Sequence, residues 1–158
     1  MRFLSLAACL AALALPCHAE PPRPEDQVTL EGIYAAAKAD CATFDNGVFS
    51  PGDTPVAEAD LTGDGKPEQI VTFAGFQCST LAGYYFSTGG SPIVVLADGK
   101  RWVWNALEYQ IVTVPDSPPV LLMMVHGGEC GGTGGDPCFD ALVWNGETFL
   151  GIRPEQDQ

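Results

Sequence analysis

The spacing of apolar residues changes once along the chain, and the change separates a helix from a set of strands. Between residues 26 and 44, apolar side chains recur at intervals of three and four: Leu30, Ile33, Tyr34, Ala37, Cys41 and Phe44. That period places them on one face of a helix, and Asp26 is suited to cap its first turn. We therefore predict an amphipathic helix over residues 26–44, with Cys41 on its buried side.

After residue 56 the apolar residues occur in short or alternating runs, a pattern that predicts β-strands. The predicted strands are 56–60, 69–73, 93–96, 101–104, 109–114, 120–125, 141–144 and 148–150. Asp98-Gly99 and Asn145-Gly146 each separate two strands and predict two-residue hairpin turns. Residues 46–55 are rich in polar residues, Gly and Pro, and are expected to form a connection.

The strands fall into two similar halves, residues 56–104 and 109–152. Each half contains two strands, a long Gly-rich loop with cysteine, and a hairpin whose strand carries tryptophan. We predict a mainly β fold with an N-terminal helix (α+β). Two antiparallel four-stranded meanders would pack like propeller blades or as a sandwich, with the helix covering an edge. Trp102 and Trp104 share a face and are expected in the core, as are Met123 and Met124.

Residues 1–19 have the features of a secretory signal peptide. Arg2 precedes a short apolar run, and small residues end at Ala19. We predict a flexible leader over residues 20–25, one domain over 26–153, and a disordered tail over 154–158. This organisation predicts a periplasmic or secreted protein that does not insert into a membrane after cleavage.

The composition is strongly acidic, with a formal net charge of −13. Nucleic acid and anionic lipid would be repelled by such a chain, so we expect no nucleic-acid partner. An acidic surface suits cations or a basic partner, and it also serves solubility alone.

Four cysteines remain after cleavage of the signal peptide: Cys41, Cys78, Cys130 and Cys138. An even number in an exported chain indicates disulfides, and three pairings are possible. Cys130 and Cys138 enclose a Gly-rich loop that can fold back, which favours bridges 130–138 and 41–78. A Cys/His zinc site is the alternative, but it would have only one histidine and no C-x-x-C pair.

The stretch Asp60-Leu-Thr-Gly-Asp-Gly-Lys-Pro-Glu68 carries oxygen ligands at regular spacing. The expected Ca²⁺ ligands are three carboxylates, one hydroxyl and one backbone carbonyl: Asp60, Asp64, Glu68, Thr62 and Lys66. An EF-hand would need glutamate at the twelfth position, where Val71 stands. The alternative is a metal-free turn, because Asp and Gly are ordinary turn residues.

This loop resembles the D-x-[DN]-x-D-G-x-x-D loop of FG-GAP/VCBS-type repeats over residues 57–73. The resemblance implies a loop between two strands of a blade that binds Ca²⁺ structurally. Thr62 and Glu68 depart from the family pattern, in which Asn or Asp and then Asp are usual. The wider layout is similar to small exported bacterial proteins with one acidic loop followed by Cys- and Gly-rich loops.

Two further segments are candidate binding sites. Tyr84, Tyr85 and Phe86 lie in a Gly-rich loop, where aromatic residues either anchor a partner or fill the end of the core. His126 and Glu129 border the Cys130–Cys138 loop. In the functional interpretation His126 is a general base oriented by Glu129, and in the alternative both residues are parts of a structural loop.

No nucleophile lies in a recognised sequence context, so the sequence favours a binding module over an enzyme. We expect an unknown protein or glycan partner that contacts the Cys78 and Cys130–Cys138 loops. One alternative is a periplasmic inhibitor of a basic enzyme such as lysozyme, through the acidic surface. The other is a hydrolase that uses His126.

Overall fold

The computed structural model describes residues 29–53 and 56–151. The predicted signal peptide, the leader, the Asp26 cap and the tail over 154–158 lie outside these residues. Helix α1 spans Leu30–Ala42, and Thr29 caps it by accepting a hydrogen bond from the Gly32 amide at 3.1 Å. No helix of the described residues is long and apolar enough to cross a membrane.

Within the described residues, ten strands follow the helix, and all of their pairings are antiparallel. They are β1 Phe49–Ser50, β2 Ala57–Ala59, β3 Glu68–Thr72, β4 Gln77–Cys78, β5 Ser91–Ala97, β6 Lys100–Ala106, β7 Glu108–Val112, β8 Val120–Val125, β9 Cys138–Trp144 and β10 Phe149–Leu150. The first four-stranded sheet has the order β2-β3-β5-β6, and the second has the order β10-β9-β8-β7. The two predicted meanders are therefore confirmed.

A small third sheet joins β1 to β4, and the sequence did not predict it. Both strands have only two residues, which is too short for an alternating pattern to show. Phe49 pairs with Cys78, so this sheet ties the connection after the helix to the first long loop.

The two predicted hairpin turns differ. Asp98 (φ +49°) and Gly99 (φ +67°) both adopt left-handed conformations, as a two-residue turn of the preferred type requires. The second prediction was wrong, because Phe149 pairs with Trp144 and leaves a four-residue loop. The side chain of Asn145 forms that loop by accepting hydrogen bonds from the amides of Glu147 at 2.9 Å and Thr148 at 2.8 Å.

The inner faces of the two four-stranded sheets pack together and form the main core. Buried side chains of this core come from both sheets, among them Ile70, Ile93, Val95, Leu121, Met123, Val125 and Leu142. Trp102 on β6 contacts Trp144 on β9 edge to face, with ring centroids 5.4 Å apart. Trp102 and Trp104 therefore pack against the core, as predicted.

Helix α1 covers the outer face of the first sheet, and not an edge as the sequence suggested. Ile33 and Ala37 pack in a second core with Val94 and Leu96, whose side chains alternate with those of the main core along β5. Strand β5 is thus buried on both faces, which explains its unbroken apolar run. The layers are, in order, helix, first sheet and second sheet.

Both expected disulfides are present. Cys41 of α1 is joined to Cys78 of β4, with Cα atoms 5.6 Å apart, and this bridge holds the helix against the first sheet. Cys130 is joined to Cys138, with Cα atoms 6.6 Å apart. The four cysteines therefore supply no thiolate for zinc, and the two bridges are typical of proteins that fold in an oxidising compartment.

Candidate functional site

The acidic loop connects β2 to β3 and is organised around the carboxylate of Asp60. Asp60 Oδ1 accepts hydrogen bonds from the amides of Gly63 at 2.7 Å and Asp64 at 3.1 Å, and its Oδ2 accepts one from Gly65 at 2.9 Å. Gly63 (φ +77°) and Gly65 (φ +87°) supply the left-handed backbone that turns these amides toward one point. The D-x-x-G-D-G spacing therefore folds into a cradle with an anionic centre.

Glu68, the first residue of β3, joins the two ends of the loop (its neck) through a buried side chain. Its side chain is only 5 % exposed. Oε2 accepts hydrogen bonds from the amides of Leu61 at 2.6 Å and Thr62 at 3.1 Å, and Oε1 accepts one from the Thr62 hydroxyl at 3.2 Å. The buried carboxylate is thus satisfied by three donors, as burial of a charge requires.

Asp64 lies at the exposed tip and pairs with Lys66. Asp64 Oδ1 accepts a hydrogen bond from the Lys66 amide at 2.8 Å, and Oδ2 lies 3.1 Å from Lys66 Nζ. The amide, followed by the ammonium, lowers the pKa of Asp64, and the carboxylate raises the pKa of Lys66. The Lys66 side chain is 82 % exposed, so the ammonium can leave the loop at little cost in packing.

The three carboxylates converge, because Asp60, Asp64 and Glu68 each place one oxygen within 4.8 Å of the others. A carboxylate oxygen that accepts one amide hydrogen bond retains a second lone pair for a cation. The Thr62 hydroxyl donates to Glu68 and keeps its own lone pairs. The donor set is all oxygen and fits a hard cation such as Ca²⁺, with the Lys66 ammonium as its internal competitor.

The acidic loop lies against residues 113–119, the Pro-rich connection between β7 and β8. A Cβ atom added to Gly63 would lie 2.8 Å from Cγ of Pro118. The acidic loop of the first sheet is therefore in close contact with a connection of the second sheet.

The three aromatic residues of the first long loop are divided between core and surface. Tyr85 is buried, its hydroxyl donates a hydrogen bond to the Ala37 carbonyl at 2.7 Å, and this burial raises its pKa to about 12. As a core residue it cannot contact a partner, which corrects its place among the candidate binding residues. Tyr84 and Phe86 are exposed.

Tyr84 packs against Phe44 with the two rings tilted by 58° and their centroids 4.8 Å apart. Phe44 was expected on the buried face of the helix, but α1 ends at Ala42 and leaves Phe44 in the following turn. Exposed apolar side chains of the two neighbouring loops form what we call the aromatic loop surface: Phe44, Val48, Leu81, Tyr84 and Phe86. Sequence reasoning missed Val48 and Leu81, which stand alone among polar residues.

Hydrogen bonds hold these two loops together beside the Cys41–Cys78 bridge. The Thr80 hydroxyl donates to the Phe44 carbonyl at 2.6 Å. Val48 and Ser79 are joined twice, through the Ser79 hydroxyl at 2.9 Å and the Ser79 amide at 3.1 Å. The aromatic loop surface therefore sits on a cross-linked support.

His126 caps the short 3₁₀ helix Gly127–Cys130. Its Nδ1 accepts a hydrogen bond from the Gly128 amide at 3.2 Å, so the proton of the neutral ring is on Nε2. A Cβ atom added to Gly134 would clash with Nε2, which shows how closely the loop covers that nitrogen. Neither nitrogen presents a free lone pair, an arrangement that disfavours a general base.

Glu129 follows in the same turn and is exposed, and its amide donates to the His126 carbonyl at 2.8 Å. The Cys130–Cys138 bridge closes the loop around this turn. The geometry is that of a compact structural loop.

Comparisons with known proteins return no match: no family model, curated protein or solved structure matches the chain. The resemblance of the acidic loop to FG-GAP/VCBS-type repeats therefore stays a prediction from the loop itself.

Proposed function

We propose that this protein is an exported binding module, periplasmic or secreted, that holds a protein or glycan partner on the aromatic loop surface. The observation that carries the proposal is the exposed pair Phe44 and Tyr84, each 39 % exposed, beside the Cys41–Cys78 bridge. Large exposed aromatic side chains are enriched at the centres of binding interfaces. Because the supporting loops are already ordered, binding would cost little conformational entropy.

The test compares two variants for capture of ligands. The oxidised protein, immobilised, is exposed to proteins of the cell envelope and culture medium and to a glycan array. We expect the double variant Phe44→Ser/Tyr84→Ser to lose the ligands that the parent retains. Val103→Ser is the matched control, because Val103 is also exposed but lies on β6. Equal capture by parent and double variant, with both folded, would reject this surface.

Ca²⁺ in the acidic loop would support the module structurally. The carboxylates of Asp60, Asp64 and Glu68, the Thr62 hydroxyl and the Lys66 carbonyl would hold the ion, with the Lys66 ammonium displaced. The ion would stabilise the connection between β2 and β3 and, through Pro118, the neighbouring turn. The support for this proposal is the convergence of the three carboxylates within 4.8 Å.

Thermal melts in millimolar Ca²⁺ and in EGTA test this site. A ligand at a hundredfold over its dissociation constant stabilises the folded state by about 2.7 kcal/mol, which corresponds to several degrees in Tm. We expect that shift in the parent and a much smaller one in Asp64→Asn, whereas the matched control Asp45→Asn should keep it. If the melting curves of the parent in the two buffers superimpose, the loop is a metal-free turn.

A further inference from the structure

The outer face of the second sheet is mostly apolar, and its two polar side chains, Glu108 and Gln110, lie on the edge strand β7. Residues 112, 120, 143 and 150 form one row across its four strands, residues 110, 122 and 141 a second, and residues 108, 124 and 139 a third. The apolar side chains in these rows are Val112, Val120, Val143, Leu150, Leu122, Ala141, Met124 and Phe139. Phe139 is the most exposed of them, at 57 %.

No element of the described residues covers this face. Strand β8 consists entirely of Val, Leu and Met, as expected for a strand buried on both sides, yet only alternate residues are buried. The contrast with β5 is direct, because α1 covers the equivalent outer face of the first sheet. Met124 was expected in the core, but it lies half-buried on the open face while Met123 is fully buried.

A groove of about 570 Å³ lies at one end of this face. Leu122, Met124 and Phe139 contribute apolar walls, Thr72 and Ala74 of the first half line it as well, and Glu108 adds a carboxylate. Its volume is within the usual range of sites that take a bulky side chain or small ligand.

The charge around this face has a single sign. Residues 107–151 contain six acidic residues and no lysine or arginine. Asp116 and Glu147 lie in the connections at one end of the sheet, whereas Glu108, Glu129 and Asp136 lie toward the other end. All five are exposed, so the apolar face is bordered at both ends by negative charge.

The size of the face and the charge at its ends together decide between a second copy and a different partner. Four strands at ~4.8 Å spacing and about five residues at ~3.4 Å give roughly 320 Å². A standard interface buries about 800 Å² on each side, so a partner must also contact the acidic ends. Two copies would bring those acidic ends together, and like charges in contact disfavour association.

We propose that the outer face of the second sheet, with its groove, is a docking site for a basic partner protein that inserts an apolar side chain beside Phe139. Apolar contact would supply the centre of the interface, and lysine or arginine side chains would pair with the acids at its ends. A basic enzyme that is inhibited by this protein would be one such partner. The inference rests on the proposal of a binding module but uses a different surface.

Site-specific cross-linking tests it. The photoreactive residue p-benzoylphenylalanine replaces Phe139 in the full chain. The chain is expressed in its native host with its own N-terminal residues 1–28. The control carries the same residue at Val103, which is exposed on the other sheet. Irradiation should give a cross-linked product with a basic protein from position 139 and not from position 103.

The purified complex then provides the quantitative test. Phe139→Ser should weaken binding by about tenfold or more, as expected for a central apolar contact. Glu108→Gln should weaken it by less, and that loss should shrink as salt is added. Thermal melts of both variants verify that they are folded.

Each other product overturns the inference. A product with the mass of two chains would make this face a contact between copies. A bridge to residues 1–28 or 152–158 of the same chain would make it an internal contact. An acidic partner, identical products from both positions, or no product at 139 would also reject it. If the Phe44→Ser/Tyr84→Ser variant loses all captured ligands while position 139 still cross-links a basic protein, this inference survives and the proposed aromatic surface serves another partner.

Discussion

Replacement of Glu68 by alanine should be among the most destabilising single changes in the acidic loop, even without metal. The Thr62 amide would lose its acceptor, and the Leu61 amide would keep only the Ala59 carbonyl at 2.9 Å. Hydrogen bonds to charged groups contribute about 1.5–3 kcal/mol each, and a buried unsatisfied donor costs about 1–3 kcal/mol. The Thr62 amide contributes its full cost and the Leu61 amide only part of its cost. We therefore expect the free energy of unfolding to fall by ~2–4 kcal/mol.

Urea unfolding in EGTA measures this loss without any contribution from metal. Glu68→Gln should lose less, about 1 kcal/mol, because the amide oxygen can keep both backbone donors and the Thr62 hydroxyl can reverse its hydrogen bond. Glu58→Ala is the matched control: it removes the same side chain from the same hairpin at an exposed position, and should change stability by less than about 0.5 kcal/mol.

Equal losses in Glu68→Ala and Glu58→Ala would refute the reasoning, because the buried carboxylate would then not be holding the loop. If Ca²⁺ binds, the difference between parent and Glu68→Ala should widen in millimolar Ca²⁺. If Ca²⁺ stabilises the parent but this difference stays constant, Glu68 has the structural role and does not bind the metal.

Two further predictions concern the support of the aromatic loop surface. Replacing both Cys41 and Cys78 by alanine should cost about 4 kcal/mol on the chain-entropy model, against about 2.6 kcal/mol for the Cys130–Cys138 pair, as compared by urea unfolding; a larger loss for the shorter loop would contradict this order. Tyr85 has a folded-state pKa raised to about 12, so only the unfolded state ionises as pH rises from 10 to 12, and stability should fall across that window. Tyr85→Phe should reduce this fall in stability between pH 10 and 12, and it should cost about 1 kcal/mol at neutral pH through the lost hydrogen bond to Ala37. Parallel curves of stability against pH for parent and variant would show that Tyr85 does not titrate as described.

Part of the candidate site could be predicted because its determinants are local. The spacing of Asp60, Gly63 and Gly65 determines the loop, since a short side chain can reach amides three to five residues ahead and glycine permits the turn. The burial of Glu68 and its hydrogen bonds to Leu61 and Thr62 were not predictable in the same way. Its burial depends on where β3 enters the sheet, and this converts an expected ligand into a residue that also holds the neck of the loop.

The sequence by itself determined the helix and the two meanders and favoured the disulfide pairs that the structure contains, because period, turn chemistry and loop closure act over short distances. The tertiary structure alone decided which faces are covered. Apolar strands β5 and β8 look alike as sequences, but α1 packs over only one sheet, so Leu96 of β5 is buried while Met124 of β8 lies half-buried on an uncovered face. Burial depends on the relative placement of distant elements, which no local pattern encodes.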